Sequence, residues 1–110
     1  MASLPKIEIN PAHWAIVAEI LQRHVPNKTI WAFGSRVRFA AKPYSDLDLA
    51  IVGDSPLSLS ELAALEYDFT ESALPFKVDI VDWATTDGSF RDIIRQTHTI
   101  VWPPESAEAT

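Results

Sequence analysis

An apolar strand interrupted by two aspartates constrains this chain more than any other feature. Residues 45–52 read S-D-L-D-L-A-I-V, so Asp46 and Asp48 stand two positions apart in a segment otherwise suited to the interior of a sheet. Side chains at i and i+2 of a strand share a face. Two carboxylates side by side repel each other unless a cation compensates them, and a divalent metal between Asp46 and Asp48 is the economical explanation. Upstream, the β-branched and aromatic run of residues 29–33 leads into Gly34-Ser35, with residues 36–45 intervening before Asp46. A Gly-Ser turn leaving a strand offers backbone N–H groups and a hydroxyl, which suit a polyphosphate held close to a metal. The segment reads as a nucleotide site.

The rest of the chain supplies a fold around it. Asn10-Pro11 matches a cap and first helical position, and Trp14, Val17, Ile20, Leu21 and His24 follow at helical spacing, which predicts a helix over 11–24 ended by Pro26-Asn27. Residues 36–45 are expected to form a short turn and loop, broken by Lys42-Pro43-Tyr44-Ser45 before a strand over 46–52. There Leu47, Leu49 and Ile51 face the core, and Asp46, Asp48, Ala50 and Val52 face the other way. Ser58 and Glu61 form a capping-box pattern before a helix of about 59–72, and K-V-D-I-V-D at 77–82 is a third strand with Asp79 opposite in face to Val78 and Ile80. A helix starting at Asp87-Gly88-Ser89, with Phe90, Ile93, Ile94 and Thr97 at helical spacing, and a short extended piece at 100–102 complete the core. The expected organisation is one α/β (α+β) domain over residues 1–102, a small mixed sheet covered by helices, with 103–110 as a frayed tail.

Composition narrows the partners. With 110 residues there is room for one core, but not for a second substrate-binding domain, so a large substrate must dock from outside. Fifteen Asp and Glu against nine Lys and Arg give a net charge of -6, which argues against direct nucleic-acid binding and favours a protein or small-molecule partner. There is no cysteine for disulfides or thiolate metal sites. No apolar run approaches the roughly 20 residues of a membrane span, and the expected location is the cytoplasm.

If the three strands share a sheet, Asp46, Asp48 and Asp79 converge on a cleft whose other lip is Gly34-Ser35. Three carboxylates beside a phosphate turn suit nucleotidyl transfer assisted by two magnesium ions. Asp46 and Asp48 would hold both ions, and Asp79 would ligate the one nearest the nucleophile and accept its proton. Asp82, three positions from Asp79, faces the other way and is expected to cap or sit at the surface. Arg36 is assigned to the nucleotide with Gly34 and Ser35, and Arg38 ranks behind it. His13, His24 and His98 show no metal-ligand spacing, and the four Trp are expected in the core or at a partner interface.

The pattern Gly-Ser, ten residues, Asp-x-Asp, followed by an apolar strand carrying one Asp, resembles the DNA polymerase β nucleotidyltransferase superfamily. More narrowly, G-S-R-V-R (34–38), S-D-L-D-L-A-I (45–51) and V-D-I-V-D (78–82) resemble the minimal nucleotidyltransferase antitoxins, over about residues 11–102. The resemblance implies a polymerase-β-like fold, with Gly34 and Ser35 on the phosphates, Asp46 and Asp48 as metal aspartates and Asp79 as third carboxylate. It also implies a partner, a HEPN-type ribonuclease toxin in a hetero-oligomer. That toxin would be neutralised by transfer of AMP from Mg-ATP onto a tyrosine or, alternatively, by steric binding without catalysis. One departure stands out: Phe39 occupies a position where the family commonly has glycine, which is expected to alter the loop beside the nucleotide.

Overall fold

A computed structural model describes residues 4–104. Helix α1 spans Pro11–His24, with Asn10 accepting a hydrogen bond from Ala12 N at 2.8 Å as its N-cap. Strand β1 is Thr29–Phe33, β2 is Leu47–Val52, helix α2 is Leu59–Thr70 and β3 is Val78–Asp82. A 3-10 turn over Trp83–Thr85 precedes helix α3, Gly88–Gln96, and the final strand β4 is His98–Trp102. The capping box at Ser58 and Glu61 is formed in both directions, and Asp87 caps α3 through Phe90 N, so all three helices begin where their cap residues dictate. Of the expected tail, residues 105–110 lie outside the described residues.

The strands form a single mixed sheet in the order β3-β2-β1-β4. β1 runs antiparallel to β2 and β4, while β2 and β3 are parallel, a connection that requires a crossover and finds it in α2. The extended piece near 100–102 is therefore a full edge strand that joins the sheet beyond β1. Trp14, Val17, Ile20 and Leu21 of α1 and Leu65 and Phe69 of α2 pack with Ile30, Ala32, Leu47, Leu49 and Ile51 in one core. At about 25 cal/mol per Å² of apolar surface removed from water, this face supplies the main driving force for folding. His24 Nε2 meets Asp68 Oδ2 at 2.6 Å and ties α1 to α2, holding the Asp68 carboxyl below its usual pKa, helped by Arg23.

The opposite sheet face is only partly covered. Phe33 meets Phe90 of α3 edge-on at 5.9 Å between ring centroids, Trp31 meets Trp83 at 5.2 Å, and Ile94 is fully buried. Ile93, expected inside with Ile94, is 61% exposed. The reason is that Phe90 and Ile94, four apart, already define the buried stripe of this short helix. This second face also carries the alternate residues of β2 and β3, among them the aspartates.

Candidate active site

The site is built from strand ends. β1 pairs with β2 so that Phe33 lies opposite Asp48, and β2 pairs with β3 so that Asp48 lies opposite Asp79. In-register neighbours on a sheet point to the same side, so Asp48 and Asp79 stand next to each other on the open face. Asp46 immediately precedes β2, is exposed, and extends the row by one pleat. On the other side, Gly34 takes φ +84, a conformation that L side chains rarely adopt, and a Cβ placed there would collide with Asp48 Oδ2. Glycine is required at position 34 twice over: to turn the chain, and to let the Asp48 carboxylate lie against the turn. The Gly34-Ser35 lip and Asp48 are thus one packed unit.

Electrostatics mark Asp48. Burial pushes its carboxyl up to about 6, and the like charges of Asp79 and then Asp46 push in the same direction, against the opposing charges of Arg38 and Lys77. A folded-state pKa above the unfolded value of 3.8 means that the stability contributed by protonated Asp48 is fully present below about pH 3.8 and is lost as pH rises through 6. In chelator-treated protein, wild type should therefore lose stability relative to Asp48→Asn between pH 4 and 7. The half-buried carboxylate still sees solvent, so the difference expected at pH 7 is about 1 kcal/mol, read by urea denaturation at each pH.

The donor set suits a hard divalent ion: carboxylate oxygens on one face and no nitrogen or sulfur ligand among them. Among the described residues, no three His, Cys, Asp or Glu groups are already drawn together tightly enough to enclose an ion. What the chain does present is a row of like charges for which a cation is the natural complement. In addition, no hydrogen bond within the described residues takes up the Ser35 hydroxyl, and it remains free for a ligand oxygen.

The Arg36 side chain, expected on the nucleotide, is turned into the protein. It is 5% exposed, with Nε and Nη2 donating to Ser45 O at 3.2 and 2.8 Å and Nη1 to Glu8 O at 2.9 Å, while the guanidinium lies 4.1 Å from the Phe76 ring centroid. Burial lowers its pKa, and the Glu8 and Asp46 carboxylates offset part of that. Arg36 therefore fastens the loop immediately before Asp46 to the N-terminal segment. The cation that faces the site from this turn is the exposed Arg38, whose charge acts on Asp48. Strand-like alternation does not extend into a turn, so sequence spacing could not rank the two arginines.

Lys77 is the residue that sequence reasoning missed. Its Nζ lies 3.1 Å from Asp79 Oδ1, and the signal was present, since i and i+2 around β3 share a face. Asp82 takes the expected capping role, accepting from Ala84 N and Leu57 N. His98 stacks on Trp31 with ring centroids 3.9 Å apart, and its Nδ1 lies within hydrogen-bond distance of the last carbonyls of α3, a structural use. A cavity of about 320 Å³ lined by Phe69, Leu74, Phe76, Lys77 and Asp79 opens beside β3. A larger one of about 380 Å³ lies between Glu8, His13, Arg36 and Lys42 and holds none of the three aspartates.

Phe39 shows how the departure from glycine is accommodated. It takes φ 54 while its ring is 63% exposed, so the side chain contributes little packing in return for a left-handed backbone. Phe39→Gly is expected to stabilise the protein by about 1 kcal/mol, the relieved strain exceeding the added freedom of the unfolded chain. Urea denaturation at fixed pH checks this.

The signature of the Polymerase beta, Nucleotidyltransferase family matches residues 16–105, which spans the sheet, the Gly34-Ser35 turn and all three aspartates. The chain belongs to that family. This nucleotidyltransferase is also 48% identical over 105 residues to the probable protein adenylyltransferase MntA of Haemophilus influenzae, covering 96% of this chain and 92% of the relative. Its fold matches that in a crystal structure of a toxin-antitoxin with AMP-PNP at a TM-score of 0.67 and 22% identity, covering 86% of this chain and 77% of the other. It also matches a chain in the structure of a tri-AMPylated Shewanella oneidensis HEPN toxin in complex with MNT antitoxin, at a TM-score of 0.63 and 19% identity, covering 89% and 76%. At these identities the two solved structures establish the shared α+β architecture of the nucleotidyltransferase.

Proposed function

We propose that this nucleotidyltransferase is an antitoxin that transfers AMP from Mg-ATP to a tyrosine of a HEPN-type ribonuclease toxin, with which it assembles in the cytoplasm. The observation that carries the reading is the packing of Asp48 against Gly34, with Asp79 in register beside it, in a chain nearly half identical to a protein adenylyltransferase. Among the described residues no helix is long and apolar enough to cross a membrane.

In this reading Asp46 and Asp48 would hold two magnesium ions, and Asp79 would ligate the one nearer the acceptor. Magnesium, when bound, supplies Lewis-acid polarisation of the phosphoryl oxygens and charge neutralisation of the leaving group. Gly34 lets the backbone approach the phosphates and Ser35 donates its free hydroxyl to one. The acceptor hydroxyl oxygen bonds to the α-phosphorus, the bond from that phosphorus to the bridging oxygen breaks, and pyrophosphate departs. Asp79 takes the hydroxyl proton. The 320 Å³ cavity beside Asp79 is where Phe69, Leu74 and Phe76 would meet the approaching aromatic side chain.

Incubating the purified toxin encoded beside this protein with the antitoxin, ATP and magnesium should add one or more AMP units to the toxin, read by intact mass. A tight complex without any gain in mass would reject transfer and favour steric neutralisation. The exposed Phe39 and Tyr44 on the loop at the site's lip are the surface features that second reading would use.

A further inference from the structure

Three carboxylates and one ammonium share the open face of β2 and β3. Asp48 lies opposite Asp79, and Leu47 opposite Val78, so continuing the register places Asp46 opposite Lys77. Leu47 N donates to Lys77 O at 2.9 Å, which fixes that alignment at the strand mouth. The Lys77 ammonium contacts Asp79 Oδ1 at 3.1 Å and is close enough to Asp46 and Asp48 to feel their charges. Its side chain is 71% exposed. An exposed lysine pair of this kind is weak and exchangeable, because water competes for both partners and the flexible stem gives up entropy to hold one geometry.

We propose that Lys77 is a positioning residue, a built-in counter-ion that holds Asp79 on the site face and occupies the place where a divalent cation competes for the same carboxylate. This rests on the reading of Asp46, Asp48 and Asp79 as metal ligands. Release of Lys77 from Asp79 frees an ammonium beside the site, where the polyanionic phosphates of the nucleotide are its natural new partner. Lys77 thereby favours a metal that arrives with nucleotide over a metal that arrives alone. Lys77 follows the buried Phe76, whose ring lies against Arg36.

The test is Mn²⁺ binding to the nucleotide-free protein, followed by the electron paramagnetic resonance signal of free Mn²⁺. Lys77→Met should bind Mn²⁺ roughly fivefold more tightly than wild type, since the ion then takes the Asp79 carboxylate without displacing an exposed ammonium paired to it. Lys77→Arg should stay within about threefold of wild type. In an Asp79→Asn background, Lys77→Met should change affinity no more than about twofold, because the lysine acts through Asp79 and not through its general field. Equal affinities for wild type and Lys77→Met, with Asp48→Asn still binding weakly, would overturn the counter-ion role and leave the metal site intact. A full gain that persists in the Asp79→Asn background would also overturn it. Absence of Mn²⁺ binding by wild type and Lys77→Met alike would instead reject the metal-ligand reading and this proposal with it.

Discussion

Asp48→Asn is expected to reduce AMP transfer to the toxin roughly thousandfold or more while the metal-free protein becomes more stable. The two effects have one cause. Asp48 is the aspartate wedged against Gly34 and flanked by Asp46 and Asp79, and its charge is unfavourable in the empty site because burial and like charges oppose it. Removing that charge relieves the repulsion and, on the proposed reading of Asp48 as a metal ligand, also removes an anionic ligand from a site where metal assistance would be worth several kcal/mol to the transition state. Asparagine keeps the shape of the side chain, so the Gly34 contact survives. Intact-mass time courses of the toxin, with single-turnover rates for wild type and variant, read the catalytic loss. Urea denaturation in the presence of chelator reads the gain. A variant that modifies the toxin at the wild-type rate removes Asp48 from the catalytic assignment.

Arg36→Ala is expected to destabilise the protein by about 3 kcal/mol. The substitution strips hydrogen bonds from the carbonyls of Ser45 and Glu8 and empties the space over the Phe76 ring. Hydrogen bonds to a charged donor are worth about 1.5–3 kcal/mol, and buried carbonyls left without partners add their desolvation cost. For a domain of this size that corresponds to a fall in Tm of roughly 12–24 °C. Arg36→Lys should recover only part of the loss, because an ammonium cannot reach both carbonyls with a planar fork. An unchanged Tm accompanied by a raised KM for ATP would return Arg36 to the nucleotide. The expected pattern is the reverse: a large stability loss, and weaker transfer only because the loop before Asp46 is no longer fastened.

Local chemistry was legible in particular residues. Asn10, Ser58 and Asp87 announce their helices because a cap is satisfied by backbone groups only two or three residues away. The division of β2 into Leu47, Leu49 and Ile51 on one side and Asp48 on the other follows from the pleat itself. No such local pattern governs residues 36–39. A turn has no fixed period, so whether Arg36 or Arg38 points inward depends on carbonyls from Glu8 and Ser45, the former on a distant segment. Ile93 was misplaced for a related reason: in a helix of barely more than two turns, the buried stripe is chosen by what the helix packs against.

By itself, the sequence determined the candidate site residues: a Gly-Ser turn, a pair of aspartates on one pleat face, and a third on another apolar strand. Those relations are written into neighbouring positions and need no partner from elsewhere in the chain. Only the tertiary structure decided that β2 lies between β1 and β3, and so that Asp48 stands between Gly34 and Asp79. It also decided that β4 closes the sheet beyond β1, that Arg36 is a buried fastening, and that Lys77 answers Asp79. Strand order and side-chain direction in turns are set by burial and pairing between residues far apart in sequence, and no local pattern encodes them.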